Sequence, residues 1–426
     1  MQSRSFFGYA NPAFHYELLS TIPPRPIDVP LPGKVTLMLP GELGGDASET
    51  IHPGVKVKTG QRLSWDGASG PAVLSSVTGT ITAIDTQAGD YGRIFTAITV
   101  SVEGADEVDD QFAAGELDTQ ALSDIFSGAP GAPPLAKLLD SDKPIDTIIV
   151  YGGDTDLLIE TNLYILKSQT ANVNQGIKTL TAATGIEKVL VVVPAESFQN
   201  FDGHFAADVK AVSAVYPGSQ PLMVHYLVTG GMPGQGETAE DAGVLFVRAE
   251  AVASIGAAVV NGRVPVEKIV TVVDQEGRKN LVSARLGTPV GDIFQKLGIT
   301  TGDGDRVIFG GPMTGTAIYA EHQPVMPDTD AIMVQDGGDI LLTGDDPCIN
   351  CGECIRICPT RVPVNLLIRF LEALQYQEGA DLYDLYSCAE CGLCSFVCPA
   401  RIPILQYIKL AKFELARAMP AEEENG

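Results

Sequence analysis

Cysteine is absent from most of this sequence. All eight cysteines of the 426 residues lie between positions 348 and 398, so no thiol elsewhere is free to act as a nucleophile or to form a structural disulfide. This usage is typical of a reducing compartment such as a bacterial cytoplasm. The sequence also has no GxSxG or Ser-His-Asp arrangement, and its five histidines are far apart, without the paired spacing of a metal site.

Long apolar runs are missing as well. The longest, at residues 189–193 and 257–260, fall far short of the roughly 20 residues that span a bilayer. Residues 1–20 contain no apolar core of signal-peptide length. The sequence therefore predicts a chain that is not exported and has no transmembrane segment of its own.

Positive charge is scarce, since 28 Lys and Arg stand against 53 Asp and Glu, which gives a net charge of −25. This balance argues against nucleic acid as a partner, because its phosphates would be repelled. One local basic patch exists near the C-terminus, at Arg401, Lys409, Lys412 and Arg417, where apolar residues recur at helical spacing. The pattern predicts a helix that either packs on the neighbouring domain or docks on a membrane surface or a partner.

The sequence does contain two copies of one cysteine spacing, C-x2-C-x2-C-x3-C-P. The copies comprise Cys348, Cys351, Cys354 and Cys358, and then Cys388, Cys391, Cys394 and Cys398. Three thiolates at such short spacing surround one [4Fe–4S] cube, while the fourth, which precedes proline, normally ligates the other cluster. We therefore expect two [4Fe–4S] clusters with crossed ligands, Cys398 on the first and Cys358 on the second. Zinc and disulfides are the alternatives, and this spacing disfavours both. Gly352 and Gly392 are expected to give the backbone room around the sulfides.

The N-terminal quarter differs from the cysteine-rich segment in its amino-acid composition. Residues 27–103 are rich in Val, Thr and Gly in short alternating runs, which predict an all-β module with many turns. This module looks like the barrel-sandwich hybrid of lipoyl and biotinyl carriers. Such carriers present a modified lysine at a turn, and the corresponding residues 66–70 contain none, which indicates a structural module. Residues 104–143 are acidic and then rich in Pro and Gly, as in a loop-like junction.

From residue 145 the pattern becomes α/β. Apolar runs at 145–150 and 189–193 predict buried strands on either side of a helical segment at 157–183. A second strand and helix are predicted at 245–247 and 249–260.

The next segment has a β-grasp character. A strand at 269–273 leads into a strand-turn-helix at 287–293, in which Thr288 is expected to cap the helix and Pro289 to take its first position. The cysteine motifs then flank an amphipathic stretch at 364–374.

This order of segments, together with residues 309–315 (FGGPMTG) and 401–407 (RIPILQY), resembles the C subunit of the Rnf (Rsx) electron transport complex over essentially the whole chain. The resemblance implies a multidomain α/β plus β fold with four parts. These are an N-terminal segment and barrel-sandwich hybrid (1–103), a complex-I-flavoprotein-like α/β domain (104–265), an SLBB-type β-grasp (266–340) and a ferredoxin-like helical domain with two [4Fe–4S] clusters and a C-terminal helix (341–426).

The resemblance also implies a function. Family members are peripheral subunits on the cytoplasmic face of the inner membrane, bind FMN besides the two clusters, and pass electrons between NADH and ferredoxin-linked membrane subunits of an ion-translocating complex. The implied partners are the other subunits of such a complex and ferredoxin or another redox protein.

Three segments depart from the family's flavin and nucleotide pattern. The loop close to GLGGAxFPTxxKL is matched by residues 128–138 (GAPGAPPLAKL), which are shorter and contain three prolines that remove amide donors. Gly128, Gly131 and Lys137 are the groups left for a phosphate, and an ordinary proline-rich connector is the alternative.

The other two departures concern charge. The segment close to NGVECEPY is matched by residues 151–158, where Asp154 and Asp156 keep the charge with shorter reach, and YPQGGEKQ is matched by 216–223 without its charged residues. We expect FMN and NADH binding to be weakened or lost, and the chain to be a poor NADH oxidase on its own. Two other functions stay open: an FMN-containing NADH dehydrogenase or cobalamin-reductase-like flavoprotein, and a flavin-free iron–sulfur scaffold.

Overall fold

The structure is a computed structural model that describes most of the chain. The described residues are 12–16, 19, 25–42, 51–64, 72–89, 92–109, 117–234, 236–340, 343–344 and 346–423. The turn at 66–70, which was compared with the lysine turn of carrier domains, lies outside them.

Short strands make up the part of the chain before the first helix. They are β1 (Ile27–Asp28), β2 (Lys34–Pro40), β3 (Lys56–Val57), β4 (Arg62–Ser64), β5 (Ala72–Leu74), β6 (Gly79–Ala88) and β7 (Ile94–Val102). Strands β2, β7, β6 and β3 form an antiparallel sheet in that order, and β4 pairs with β5. Every second residue of β2 is buried, because Val35, Leu37 and Leu39 face the core. The predicted all-β character of this segment is confirmed.

A parallel sheet with helices forms the middle of the chain. Its elements are α1 (Thr119–Phe126), a 3-10 helix (Leu135–Leu139), β8 (Thr147–Tyr151), α2 (Thr161–Ser168), α3 (Thr170–Thr184), β9 (Lys188–Pro194), a second 3-10 helix (Ala195–Asn200), β10 (Asp208–Val212), α4 (Pro221–Thr229), β11 (Val244–Arg248) and α5 (Ala249–Asn261). The strand order is β10-β9-β8-β11, and all pairs are parallel. The predicted strands and the helix at 249–260 are confirmed, while the helical segment at 157–183 is two helices that meet at Gln169.

A mixed sheet follows. Its elements are β12 (Glu267–Val273), β13 (Lys279–Arg285), α6 (Val290–Leu297), β14 (Arg306–Phe309), β15 (Thr316–Ile318), β16 (Ala331–Gln335) and a 3-10 helix (Gly337–Asp339). The order is β1-β13-β12-β16-β14-β15, so the sheet includes the first strand of the chain. The predicted cap at Thr288 is wrong. Pro289 is the N-cap residue of α6, and the hydroxyl of Thr288, one residue earlier, is buried with no hydrogen-bond partner in the described part of the chain.

The C-terminal part is helical. It contains α7 (Glu353–Ile357), α8 (Val364–Glu372), α9 (Tyr376–Tyr383), a 3-10 helix (Leu385–Ser387), α10 (Leu393–Phe396) and α11 (Ile404–Glu423). Helices α8 and α11 share one apolar core. Across the described ranges, no helix is both long enough and apolar enough to cross a membrane. Taken together, the chain is a mixed α/β multidomain protein with several sheets.

Two lysines of the basic patch, Lys409 and Lys412, lie on α11 and form hydrogen bonds within the chain. Ile404 and Ile408 are buried, Lys409 Nζ donates to the carbonyl of Thr314 at 2.9 Å, and Lys412 Nζ donates to the carbonyl of Cys388 at 3.1 Å. These contacts support the interpretation of α11 as a packed helix, since its apolar face lies in the helical core and its lysines reach the second cysteine loop and Thr314.

Candidate iron–sulfur centre

The two cysteine loops adopt the same backbone conformation twice. Left-handed residues occur at matching positions of both copies: Asn350 (φ 56°), Gly352 (φ 78°) and Arg361 (φ 60°), then Glu390 (φ 52°), Gly392 (φ 73°) and Arg401 (φ 55°). In each copy the glycine precedes a short helix, α7 or α10, and a proline precedes a longer one, α8 or α11. The sequence repeat is therefore also a structural repeat.

The structure brings the fourth cysteine of each copy to the first three of the other copy. One cavity is lined by Cys348, Cys351, Cys354 and Cys398. In the other group, Cys358 interacts electrostatically with Cys388, Cys391 and Cys394. All eight cysteines are free thiols, so the chain contains no disulfide.

Burial controls the protonation of these thiols. Burial raises the pKa of Cys354 and of Cys391 to about 12, and that of Cys388 to about 11. For these three cysteines, burial therefore disfavours the thiolate form. Since iron binds thiolates, binding of a cluster here would be coupled to the release of protons.

The thiols are not arranged around a single ion. In the part of the chain that the structure describes, no three or more His, Cys, Asp or Glu side chains form a group that could hold a metal ion. A zinc site needs its ligand atoms about 2.0–2.3 Å from one centre, whereas the four thiolates of a [4Fe–4S] cluster lie around a much larger cube. The donor set is all sulfur, which is the ligand set of a [4Fe–4S] cluster.

The second cysteine loop packs against the rest of the chain. Tyr216 Oη donates to the carbonyl of Cys391 at 2.6 Å, and a Cβ atom at Gly392 would lie 2.3 Å from the carbonyl oxygen of Met313. Met313 thus gives a further reason for glycine at position 392, and the role expected for it around the sulfides stays a prediction. By contrast, Ile349 and Asn350 in the first loop are exposed and Cys351 and Gly352 are half-buried, whereas Cys391 and Gly392, which match Cys351 and Gly352 in the repeat, are buried, so the first loop is the less buried of the two.

Asp154 and Asp156 follow the end of β8 and are both buried. Burial raises the pKa of Asp154 to about 7, against the opposing effect of hydrogen bonds from Asn162. Burial also raises the pKa of Asp156, which is opposed by the hydrogen bonds that its carboxylate accepts from Thr314. Both carboxylates therefore have partners within the protein.

Gly128, Gly131 and Lys137 do not line the cavity that Asp156 lines. Gly128 packs on β5, where a Cβ atom would lie 2.9 Å from the amide nitrogen of Leu74. The N–H of Gly131 donates to the carbonyl of Pro327 at 2.8 Å, and Lys137 is exposed on its 3-10 helix. A cavity of about 380 Å³ beside Asp156 is lined by none of the three. The structure thus does not assemble the predicted flavin residues around one cavity, and they do not fit FMN.

Sequence analysis missed a buried ion network between the parallel and the mixed sheets. Lys268 Nζ is fully buried, bonds to a carboxylate oxygen of Glu250, and lies 2.9 Å from Asp330 Oδ1. Arg248 Nε lies 2.9 Å from the other oxygen of Asp330. The one signal in the sequence was a lysine within the apolar strand β12.

The electrostatics of this network favour charge on Lys268 and on Asp330, whereas burial raises the pKa of Glu250 despite its contact with Lys268. Burial acts to lower the pKa of Lys268, but Glu250 and Asp330 outweigh it and the pKa is raised. Burial acts to raise the pKa of Asp330, but Lys268 and Arg248 outweigh it and the pKa is lowered.

No family model matches the chain, but curated proteins do. It is 28% identical to the C subunit of the ion-translocating oxidoreductase complex of Edwardsiella ictaluri, over 98% of this chain and 54% of the relative. It is 26% identical to that of Cronobacter sakazakii, over 93% and 54%. It is 23% identical to the C subunit of the Na(+)-translocating ferredoxin:NAD(+) oxidoreductase complex of Acetobacterium woodii, over 79% and 81%. These relatives confirm the predicted resemblance to the Rnf family.

The similarity covers only part of the length of the longer relatives, and the similarity to solved structures is low. The chain spans about half the length of the Edwardsiella and Cronobacter relatives. Among solved structures, an NAD+-reducing [NiFe]-hydrogenase in the H2-reduced state is 14% identical with a TM-score of 0.44, over 69% of this chain and 62% of that chain. A structural similarity of this size is too low to define the fold.

Proposed function

We propose that this chain is an RnfC-like peripheral subunit of a membrane-bound, ion-translocating electron transport complex, in which it relays electrons through two [4Fe–4S] clusters. The observation that carries the proposal is the crossed convergence of eight thiols in two structurally repeated loops. The relatives support it, because their names place them in ion-translocating oxidoreductase complexes.

The proposed ligands follow the two thiol groups. The first cluster would be held by Cys348, Cys351, Cys354 and Cys398, and the second by Cys388, Cys391, Cys394 and Cys358. Because each motif supplies ligands to both clusters, the clusters are neighbours and can exchange single electrons. The clusters supply the redox chemistry, while the protein sets their ligands and their access to water.

The surroundings of the two sites suggest different roles in the relay. Tyr216 and Met313 pack against Cys391 and Leu393 of the second cysteine loop, so the second cluster would face the parallel-sheet and mixed-sheet parts of the chain. The first loop carries the exposed Ile349, so the first cluster would be the one nearer to a partner. The proposed partners are the other subunits of the complex and ferredoxin or another redox protein, at the cytoplasmic face of the inner membrane.

Anaerobic purification tests the proposal. We expect about eight irons and eight sulfides per chain, as two cubes require, with both clusters reduced by dithionite in single-electron steps seen by electron paramagnetic resonance. Stoichiometric zinc, or iron near half that amount, would contradict it. A second experiment asks whether native membranes retain the chain and whether cross-linking joins it to membrane subunits. A wholly soluble chain without such partners would contradict the assignment to a membrane complex.

A further inference from the structure

We propose that the segments matching the family's flavin loops do not bind flavin in this chain, and that Asp156 instead holds residues 310–315 against the second cysteine loop. We call Asp156 with residues 310–315 the clamp. The flavin half of this proposal stands on the chain alone, and the clamp half rests on the proposed function.

In the loop that would bind a phosphate, three of the four amide N–H groups of residues 128–134 are bonded to protein carbonyls. Within residues 128–134, Ala129 donates its N–H to Phe126, Gly131 donates to Pro327 at 2.8 Å, and Ala132 donates to Ala129 at 3.0 Å. The three prolines of the loop have no N–H to donate. A phosphate is bound by several convergent N–H groups, and only the N–H of Gly128 is left in this loop without a protein partner among the described residues.

The N-terminus of α5, beside this loop, is also occupied by groups of the protein itself. A Cβ atom at Gly131 would lie 2.3 Å from the amide nitrogen of Ala251, in the first turn of α5. Glu250 in the same turn is 3% exposed, accepts the N–H of Ile269 at 2.9 Å and bonds to Lys268. The first turn of a helix is where an anion binds, and here a loop and a carboxylate of the protein take that space.

The carboxylate of Asp156 already accepts hydrogen bonds from protein donors at both of its oxygens. It accepts the N–H of Leu157 at 2.7 Å, the N–H of Met313 at 3.2 Å, and both the N–H and the hydroxyl of Thr314 at 2.7 Å. An ionised carboxylate offers about four lone-pair sites. No acceptor remains for the hydroxyl groups of a flavin or a nucleotide.

The same bonds connect Asp156 to the second cysteine loop. The carbonyl of Met313 lies against Gly392, where a Cβ atom would be 2.3 Å away. The carbonyl of Thr314 accepts from Lys409 of α11 at 2.9 Å. Asp156 therefore fixes a loop that touches the cysteine motif on one side and the C-terminal helix on the other, and it acts as a positioning residue for the second cluster.

Flavin binding is tested by titrating FMN, in large molar excess, into the full-length cluster-loaded protein, with calorimetry and flavin fluorescence as readouts. We expect no saturable binding, with an apo-flavodoxin as the positive control. Saturable one-to-one binding that Lys137→Ala weakens would overturn the proposal. If the chain held no clusters, the proposed function would fail while this titration would still report on the flavin loops.

The clamp is tested by Asp156→Asn and by the milder Thr314→Val, with Thr316→Val as a matched control on the wall of the same cavity. An asparagine has one acceptor oxygen, so Asp156→Asn leaves an N–H of the clamp without a partner. We expect the midpoint potential and the resonance spectrum of the second cluster to shift while those of the first are retained. Thr314→Val should shift the same cluster by less, and Thr316→Val should shift neither.

Two outcomes would overturn the clamp. In one, both clusters are unchanged in Asp156→Asn. In the other, both clusters change equally in Thr314→Val, which would indicate a general loss of structure. Should Asp156→Asn fail to fold, Thr314→Val decides between these outcomes.

Discussion

The hydroxyl of Tyr216 donates to the carbonyl of Cys391 at 2.6 Å, although the two residues are 175 positions apart in the sequence. Burial raises the pKa of Tyr216 far above its usual range, so the phenol stays protonated and remains a donor at every working pH. This bond joins the parallel-sheet domain directly to a proposed cluster ligand.

Tyr216→Phe should therefore loosen the second cluster. The change leaves a buried carbonyl without its donor, which costs about 1–3 kcal/mol. We expect the absorbance of the second cluster to be lost at a lower temperature than in the wild type under anaerobic heating. Tyr226→Phe, at a tyrosine that is 54% exposed, is the control and should melt like the wild type. Equal melting of both variants would contradict this role for Tyr216.

Single cysteine variants test the crossed ligands. Cys398→Ser should damage the cluster built on Cys348, Cys351 and Cys354, since the structure places these four thiols around one cavity. Cys358→Ser, its matched counterpart, should damage the other cluster. Iron analysis and resonance spectra of both variants identify the cluster that is lost. Loss of the cluster formed by the sequence neighbours in each case would show that the ligands are not crossed.

Lys268→Met should destabilise the contact between the parallel and the mixed sheets. The change leaves Glu250 and Asp330 buried next to each other without the cation that both contact. Breaking a buried ion pair from one side costs about 3–5 kcal/mol. Urea unfolding of the anaerobic protein measures the loss. Lys143→Met, at an exposed pair with Asp241, should have little effect, and a similar loss in both variants would contradict the prediction.

The stability contributed by Asp154 should fall as the pH rises. Burial raises its pKa to about 7 in the folded state, whereas it is about 3.9 in an unfolded chain. The folded state therefore binds the proton more tightly, and stability is lost as the pH rises toward and through the folded pKa. Between about pH 5 and pH 8 the loss should be about 2–3 kcal/mol.

Asp154→Asn removes this dependence, because an asparagine oxygen can still accept from Asn162 at any pH. We expect the variant to match the wild type near the acid end of this range and to exceed it in urea unfolding at the alkaline end. Asp303→Asn, at an exposed position, serves as the control. A pH profile of Asp154→Asn that parallels the wild type would show that Asp154 does not titrate in this range.

Local patterns were enough to predict the strands and the cysteine site. The apolar runs at 145–150 and 189–193 became β8 and β9 because both faces of a parallel sheet are covered. The spacing alone predicted that the eight thiols form two crossed groups, and their role as cluster ligands stays a prediction. The position of Asp156 could not be predicted, because its partner Met313 is 157 residues away and bonds through its backbone. Every residue except proline has a backbone N–H, so the residue types in a sequence do not show which N–H donates to Asp156.

The strand Ile27–Asp28, the first one in the described part of the chain, pairs in parallel with β13 at Val282 and Ser283, where the chain returns about 250 residues later. During synthesis the ribosome adds ~5–20 residues per second. Roughly 13 to 50 s therefore pass between the synthesis of Ile27 and that of its partner Val282. Until then the strand at Ile27 lacks the neighbour with which it pairs in the folded protein. The mixed sheet thus combines residues made early in translation with residues made late, and it is completed only after the parallel sheet has left the ribosome.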